Sequence, residues 1–414
     1  QMGTIYEQAW IAVVSVAHTH TTEVPDMFRL GDKKDTPTHS NVTVRPVLSL
    51  RDKHRFVRFT RELYRDDPNF RPQLDLMVFE QLSPRHNPWF EHGDAQLYLA
   101  YRGDKVVGRI SAQIDYEHLK HHDDGTGFFG FFEVEDDPEA AEALLRTAED
   151  WVRSRGLERI RGPFSFSINE LSGTLVDGFE SPNYIMMPHG RPYYDRLLKD
   201  AGYGEEMDLY CWRYTRENIP DRAFELAEFA ADDPAVEIRD LDMDNLDRDI
   251  RIINDIFNEA WSGNWGYVPM TEAELDKMAD EFRLVVDPEL VMIAEVDGVP
   301  AGMTVSLPNI NEAFRDLDGR VFPTGWAKAL YRLKMTNPRT FRCILLGIRK
   351  EYRDAALGAL SVIMYTEIFD RAYKKGYREA EASWTLESNT GINKGMELMG
   401  AEKYKTYRVY ESEL

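Results

Sequence analysis

The chain has 414 residues, of which 43% are apolar and 12% aromatic. That is the composition of a globular protein, and the length exceeds one ordinary domain, so two are expected. The formal net charge of −22 opposes non-specific binding to nucleic acid or anionic membranes, and it fits a salt-adapted host and an ordinary acidic cytosolic protein equally well.

No run of about 18 apolar residues occurs, so no membrane-spanning helix is expected. The apolar patch Ala9–Ala17 is too short, and it lacks the cationic start of a signal peptide. Residues 1–40 otherwise read as a disordered leader or artefact. Cys211 and Cys343 lie far apart, which gives neither a disulfide framework nor a zinc site and suits a reducing cytoplasm.

A first unit is expected over 41–215. Its first clear signal is L-Y-L-A-Y-R-G-D-K-V-V-G-R-I (97–110), two apolar strands joined at Gly103: a β-hairpin. The spacing of His118, His121 and His122 matches no structural zinc pattern, and no metal is expected there. The turn F-F-E-V-E-D-D-P-E-A (131–140) carries five acids and no cation. It repels phosphate, and Pro138 reads as a helix start. The segment 151–160 is a helix end capped by Gly156, followed by a strand.

In G-P-F-S-F-S-I-N-E-L-S-G (162–173), Phe164, Phe166 and Ile168 alternate with Ser165, Ser167 and Asn169. A strand is expected, whose polar set, with Glu170 at its end, either faces a substrate cleft or is simply half-buried. H-G-R-P-Y-Y (189–194) groups His189 with Tyr193 and Tyr194, a titratable aromatic set suited to holding substrate or a satisfied loop histidine. A short helix closed by Gly202 and an aromatic-rich strand (208–214) end the unit. Residues 216–236, with Pro220 and Pro234, read as a linker with a short helix over Ala223–Ala230.

The second unit, 237–414, repeats this order. V-M-I-A-E-V-D-G-V-P-A-G-M-T (291–304) is again a hairpin, turning at Asp297-Gly298. The stretch 326–342 carries Lys328, Arg332, Lys334, Arg339 and Arg342 with no acid. It reads as an amphipathic helix whose cations meet an anionic ligand, the acidic first unit or neighbouring acids. An apolar strand then leads into I-R-K-E-Y-R-D-A-A-L-G-A-L (348–360) and a helix. In E-A-S-W-T-L-E (381–387), alternation places Glu381, Ser383, Thr385 and Glu387 on one face. A short helix closed by Gly400 and the strand T-Y-R-V-Y (406–410) end the chain as the first unit ends.

The hairpin 291–304, the segment 345–360 and the ending 376–410 resemble the GNAT acetyltransferase superfamily. The weaker echo over 41–215 makes the resemblance tandem. G-P-F-S-F-S-I-N-E-L-S-G and H-G-R-P-Y-Y resemble the hallmark of an uncharacterised bacterial tandem-GNAT-like group. The implied fold is α/β (α+β): two units, each a mixed, mostly antiparallel sheet flanked by helices. The implied activity is N-acyl transfer from acetyl-CoA or another acyl-CoA to a small-molecule or peptide amine, with no nucleic acid, membrane or metal partner.

Helix-start amides cradle a pyrophosphate in that family. Matching positions here are Arg353, Ala356, Gly358 and Ala359, with Leu346 and Ile348 on the strand and Asn389 or Asn393 near the last helix. Asp354 and Ala356 replace two glycines of the family pattern, and Arg349, Lys350 and Arg353 offset the Asp354 charge. Asn389 reads equally as a helix N-cap. The family's usual tyrosine acid is missing: counting back from Gly400 gives Met396, and from Gly202 gives Leu198. Glu381 or Glu387 is available as a base, and Tyr352, Tyr365, Tyr404, Tyr407 and Tyr410 as proton donors. The first unit is then a degenerate partner that shapes the cleft through Asn169, Glu170, His189 and Tyr193. Two rival readings are a non-catalytic protein that binds CoA or another ligand or serves as a scaffold, and an aminoacyl-tRNA-dependent peptidyl transferase-like protein. The acidic charge argues against the second.

Overall fold

The computed structural model describes residues 41–231, 233–317, 319–320, 325, 328, 331–332, 338–353 and 359–414; residues 230, 231, 282, 284, 285 and 359 are described through their backbone alone. The first repeat runs β1 (Val42–Pro46), α1 (Leu50–Leu63), α2 (Asp75–Gln81), β2 (Gly93–Arg102), β3 (Lys105–Asp115), α3 (Tyr116–His122), β4 (Thr126–Val134), α4 (Pro138–Arg153), β5 (Arg159–Gly162), β6 (Thr174–Asp177), α5 (Tyr194–Asp200) and β7 (Gly204–Thr215). Helix α6 (Asp221–Ala231) connects it to the second. That repeat runs β8 (Val236–Asp240), α7 (Leu246–Trp261), α8 (Glu272–Val285), β9 (Val291–Val296), β10 (Val299–Pro308), α9 (Asn311–Phe314), β11 (Thr340–Ile348), α10 (Ala359–Lys375), β12 (Glu379–Leu386), α11 (Thr390–Leu398) and β13 (Glu402–Glu413).

Local chemistry sets several of these boundaries. Pro138 opens α4, and the Asp137 side chain accepts from Ala140 N, as the acidic turn suggests. Asp115 caps α3 in the same way, and Asn389 accepts from Ile392 N at the start of α11. Asp297 and Gly298 both take positive φ at the β9–β10 turn, the conformation a tight two-residue hairpin loop requires.

The strands form one 13-stranded mixed sheet in the order β1-β2-β3-β4-β5-β13-β7-β12-β11-β10-β9-β8, with β6 also paired to β13. The repeats exchange their last strands. Strand β7 runs antiparallel to β12 of the second repeat, and β13 runs antiparallel to β5 of the first. Helices cover both faces. In the second repeat, α10 packs on Phe341 and Cys343, while α7 and α8 pack on Ile293, Met303 and Val305 from the opposite side. In the first, α4 and α5 cover Ile110 and Phe129, and α1 and α2 cover Leu99 and Phe131. Among the described residues, no helix is long and apolar enough to cross a membrane.

Two sequence expectations fail locally. Residues 163–173 are not a strand: the chain bends, with an isolated bridge between Phe164 and Ser172 and a turn from Glu170 N to Ser167 O. The alternation of 381–387 is also broken. The register against β7 slips between Ser383 and Thr385, so Trp384 is a bulged extra residue and Thr385 changes face. Thr385 Oγ1 accepts from Trp212 Nε1 and donates to Asn393 Oδ1, away from Glu381 and Ser383. Of the expected basic helix, Lys328 and Arg332 both reach Asp316, Arg342 lies on β11, and Lys334 lies outside the described residues.

Candidate active site

Among the described residues each repeat contains one parallel strand pair, and each pair soon separates. In the second repeat β11 and β12 are paired only from Thr340↔Glu379 to Cys343↔Ala382. Just beyond, the register between β10 and β11 shifts, so that Val305 faces Leu345 while Ser306 faces Cys343. Ile344 is the extra residue. A bulge leaves its residue unpaired and turns the following side chains over, and the packing follows. Phe341 and Cys343 lie toward α10, Ile344 packs on the opposite side, and Leu345 joins α7 and α8. Ile344, Leu345 and Leu346 are only half-buried on this central strand, and so are Trp384 and Thr385 across the gap. The result is a wedge between parting strands, lined by half-buried residues that are mostly apolar. Gly347 lets Trp261 of α7 pack against its floor: a Cβ there would sit 2.3 Å from the indole ring.

The first repeat has the same construction. Pairing of β4 with β5 ends at Phe128↔Arg161, and the β3–β4 register shifts between Arg109 and Ser111. This wedge is filled by the chain itself. Phe164 N donates to Phe129 O (2.8 Å), and Gln113 Nε2 donates to Phe164 O (3.0 Å) and Phe166 O (2.9 Å). A Cβ on Gly130 would lie 1.6 Å from Phe164 O. Against the outside of this plug, Trp265 and Gly266 of the second repeat leave about 10 Å³, space for roughly one water.

The sequence-predicted residues fall around these wedges as follows. Leu346 and Ile348 lie on β11 and pack toward α6 and α10. Arg353 Nε donates to Ile348 O (2.9 Å) and Nη2 to Ala260 O (3.3 Å), which ties the turn to the end of α7. Beside it Arg349 pairs with Glu259 at 2.7 Å. Tyr352 is half-buried in the same turn. Asp354, Ala356 and Gly358 lie outside the described residues, and the backbone of Ala359 opens α10. Asn393 accepts from Thr385 Oγ1 and donates to Leu386 O (2.9 Å). Glu387 is exposed and accepts from Asp208 N (3.0 Å).

Glu381 is 1% exposed and sits where the wedge begins. Ser383 Oγ donates to its Oε1 (2.6 Å), Tyr404 OH donates to its Oε2, and Arg342 Nε stands 3.7 Å away. Arg342 is 3% exposed and uses its whole fork: Nε to Ser383 Oγ (2.7 Å), Nη2 to Ser383 O (3.2 Å), and Nη1 to Ile185 O (3.0 Å) and Met186 O (2.9 Å). Burial pulls the Arg342 pKa down, and the Glu381 charge opposes that pull. A loop of the first repeat is thereby fastened to β11 of the second, next to where the wedge begins. Buried Lys405 adds bonds to Ser181 O (3.0 Å) and Pro182 O (2.9 Å). Sequence reading placed Arg342 in a basic helix. The sign that it belongs elsewhere is its place inside an otherwise apolar strand run, T-F-R-C-I-L-L.

The first-repeat candidates are dispersed. Asn169 Nδ2 donates to Val268 O (3.1 Å) across the junction between repeats. Glu170 accepts from Gln81 Nε2, and burial raises its pKa to about 7. Tyr193 OH donates to Val134 O (2.9 Å). His189 does not stack on Tyr193 and Tyr194; its rings are Tyr64 and Phe70. Its Nε2 is 3.0 Å from Asp67 Oδ2, which places the proton there and leaves Nδ1 buried and unpartnered among the described residues. Burial lowers its pKa, so the ring is neutral near neutral pH. Among the described residues, no group of acids, histidines and cysteines is arranged to hold a metal.

The bulged, splayed wedge occurring twice in one chain is the feature to compare with known proteins. No protein-family model matches the chain. Protein YghO of Escherichia coli (strain K12) is 40% identical over 375 residues, covering 90% of this chain and 95% of that protein. The bacterial ceramide synthase of Caulobacter vibrioides (strain NA1000 / CB15N) is 39% identical over 381 residues, covering 91% and 99%. This chain belongs to the family of those two proteins. The family's fold is visible in solved structures. The tandem GNAT protein from the clavulanic acid biosynthesis pathway superposes with a TM-score of 0.54 at 12% identity, over 90% of this chain and 98% of that one. A GCN5-related N-acetyltransferase from Sphaerobacter thermophilus gives 0.51 at 15% identity, over 90% and 96%. The fold of this chain is the tandem GNAT fold, as its repeats and hairpins suggest.

Proposed function

We propose that this protein is an acyl-thioester-dependent N-acyltransferase that joins a fatty acyl group to a long-chain amino alcohol, giving a ceramide-type amide. The observation that carries the reading is its 39% identity to a bacterial ceramide synthase across 99% of that protein's length. The second wedge supports it: among the described residues β11 and β12 part beside half-buried, mostly apolar side chains, and a thioester needs a slot between strands while a hydrocarbon chain needs apolar walls.

The amine nitrogen attacks the thioester carbonyl, the C–N bond forms as C–S breaks, and the thiolate leaves with the proton the amine gives up. The carbonyl lies against the bulged backbone at 344–347, where strand β11 has parted from β12 and an N–H can stabilise the developing oxyanion. Acyl-CoA is the donor, with its phosphates near Arg353 and the start of α10. Glu387 and Tyr352 are exposed enough to exchange protons with a bound amine. Glu381 is saturated by Ser383, Tyr404 and Arg342 and holds the wedge in shape.

The test is incubation of the purified chain with palmitoyl-CoA and sphinganine, with mass spectrometry of the lipid product. An N-acyl product that grows with enzyme and time is expected. Free thiol without amide, or no turnover across acyl lengths, overturns the reading.

A further inference from the structure

The loop Asn183–Met187 belongs to the first repeat but is bonded to β11 of the second, beside the point where the wedge begins. It is held from three sides. Arg342 binds the carbonyls of Ile185 and Met186, Ile185 N donates to Asn309 Oδ1 (3.1 Å), and Tyr184 OH donates to Glu379 Oε1 (2.7 Å). Asn183 Nδ2 also donates to Arg71 O (3.1 Å) and Met187 O (3.2 Å). Asn183, Tyr184, Ile185 and Met187 are all buried. Met186 alone is 40% exposed, and it holds φ at +55°. A non-glycine residue in that region carries strain, and the surrounding bonds over-determine it here. The fold gains little from the Met186 side chain, since glycine or asparagine would sit in this backbone at lower cost. The Met186 carbonyl is held by Arg342, which also donates to Ser383 O, so the exposed Met186 stands on a loop anchored beside the point where β11 and β12 part.

The side of the sheet is informative. Phe341 and Cys343 face α10, the helix whose start follows the basic turn. Arg342 projects the other way, and Ile344 packs with Ile185, Leu307 and Ile310 on that opposite side. A donor held at the start of α10 therefore leaves the face beneath Met186 to the acceptor. Methionine adapts to irregular apolar surfaces, and the adjoining Ile185 packs with Leu307 and Ile310, beside Ile344.

We propose that the first repeat supplies the acceptor subsite of the second: Met186, on its clamped loop, contacts the hydrocarbon chain of a long-chain amine at the wedge mouth, and Arg342 is the positioning residue that sets the loop there. This rests on the acyltransferase reading for the identity of the amine, but binding can be tested without turnover.

The probe is a sphinganine bearing a diazirine in its chain, photo-crosslinked to the full-length protein and mapped by peptide mass spectrometry. Label is expected within 183–187, competed by sphinganine and not by ethanolamine. Label confined elsewhere, or no saturable label, overturns the proposal. Met186→Glu should reduce labelling at least tenfold with acyl-CoA binding and thermal midpoint unchanged. Met186→Gly, which relieves the backbone, guards against misfolding and should reduce labelling about threefold. Unchanged labelling in both variants also overturns it. Arg342→Lys should raise the KM for sphinganine more than it lowers kcat, whereas a purely structural role would lower the amount of folded enzyme and leave KM unmoved. Label on the loop without amide formation removes the transferase reading and keeps the subsite; amide formation with label elsewhere does the reverse.

Discussion

The two wedges have the same frame and opposite contents. In both, a parallel pair three or four residues long separates beside a register shift in the neighbouring hairpin strand. In the first, residues 163–166 cross the gap and Gln113 fixes them there. In the second, Ile344 to Leu346 and Trp384 remain half-exposed. The difference also appears in charge: the turn after β4 is a string of acids, and the turn after β11 carries Arg349, Lys350 and Arg353. A duplicated parting of two interior strands is plugged by the chain in one copy and, among the described residues, lined by half-buried side chains in the other. A loop of the plugged copy is tied to the second copy's β11 through Arg342.

The sharpest way to break this comparison is to add one methyl group to each wedge. Gly130→Ala forces a Cβ to 1.6 Å from a backbone oxygen, which cannot swing away, and should cost about 4 kcal/mol of stability in urea titration. Gly347→Ala meets a Trp261 side chain at 2.3 Å and should cost about 2 kcal/mol, because the indole can shift. Equal costs would mean that the first wedge is not sealed by backbone as described.

The second test concerns charge. Arg353→Glu removes a cation and its bonds to Ile348 O and Ala260 O, and should weaken acyl-CoA binding about 30-fold, roughly 2 kcal/mol, by calorimetry. Asp136→Lys in the acidic turn, by contrast, should leave affinity within about twofold, since that turn faces a filled wedge. A comparable loss from both would place the phosphates somewhere other than the start of α10.

How far the residues alone reach follows from these elements. The hairpins, the glycine caps and the repeat order are local patterns, and each is present as expected. The strand exchange is not local. The ends of both repeats read as the same kind of aromatic-rich strand, so nothing in 208–214 or 406–410 says which pair each will join. The alternation in 162–173 is real, but it serves a chain that leaves the sheet and bonds to Gln113, and a period of two does not distinguish the cases. Likewise Glu381 and Thr385 share parity in the sequence and lie on opposite faces because Trp384 bulges. Arg342 looked like one more cation after a basic run. Its role follows from the loop it binds 157 residues earlier in the chain.

The smallest expected effect lies at Glu170, where the first repeat's plug region meets α8. Burial raises its pKa from 4.5 to about 7, with Gln81, Lys277, Glu274 and Glu281 as the surrounding groups. The folded state therefore holds the Glu170 proton more tightly than the unfolded chain. Its contribution to stability is complete below about pH 4.5 and is lost as pH rises through 7. A shift of this size converts to about 3 kcal/mol if fully felt, and partial exposure reduces it to about 1 kcal/mol. Glu170→Gln should thus be about 1 kcal/mol more stable than the parent at pH 8 and no more stable at pH 4.5, with a flatter profile between. If the parent and the variant lose stability in parallel across that window, the junction between the repeats is wetter than the burial of Glu170 implies. Opening the plug with Gln113→Ala should lower the Glu170 midpoint further only if the plug is what keeps water away.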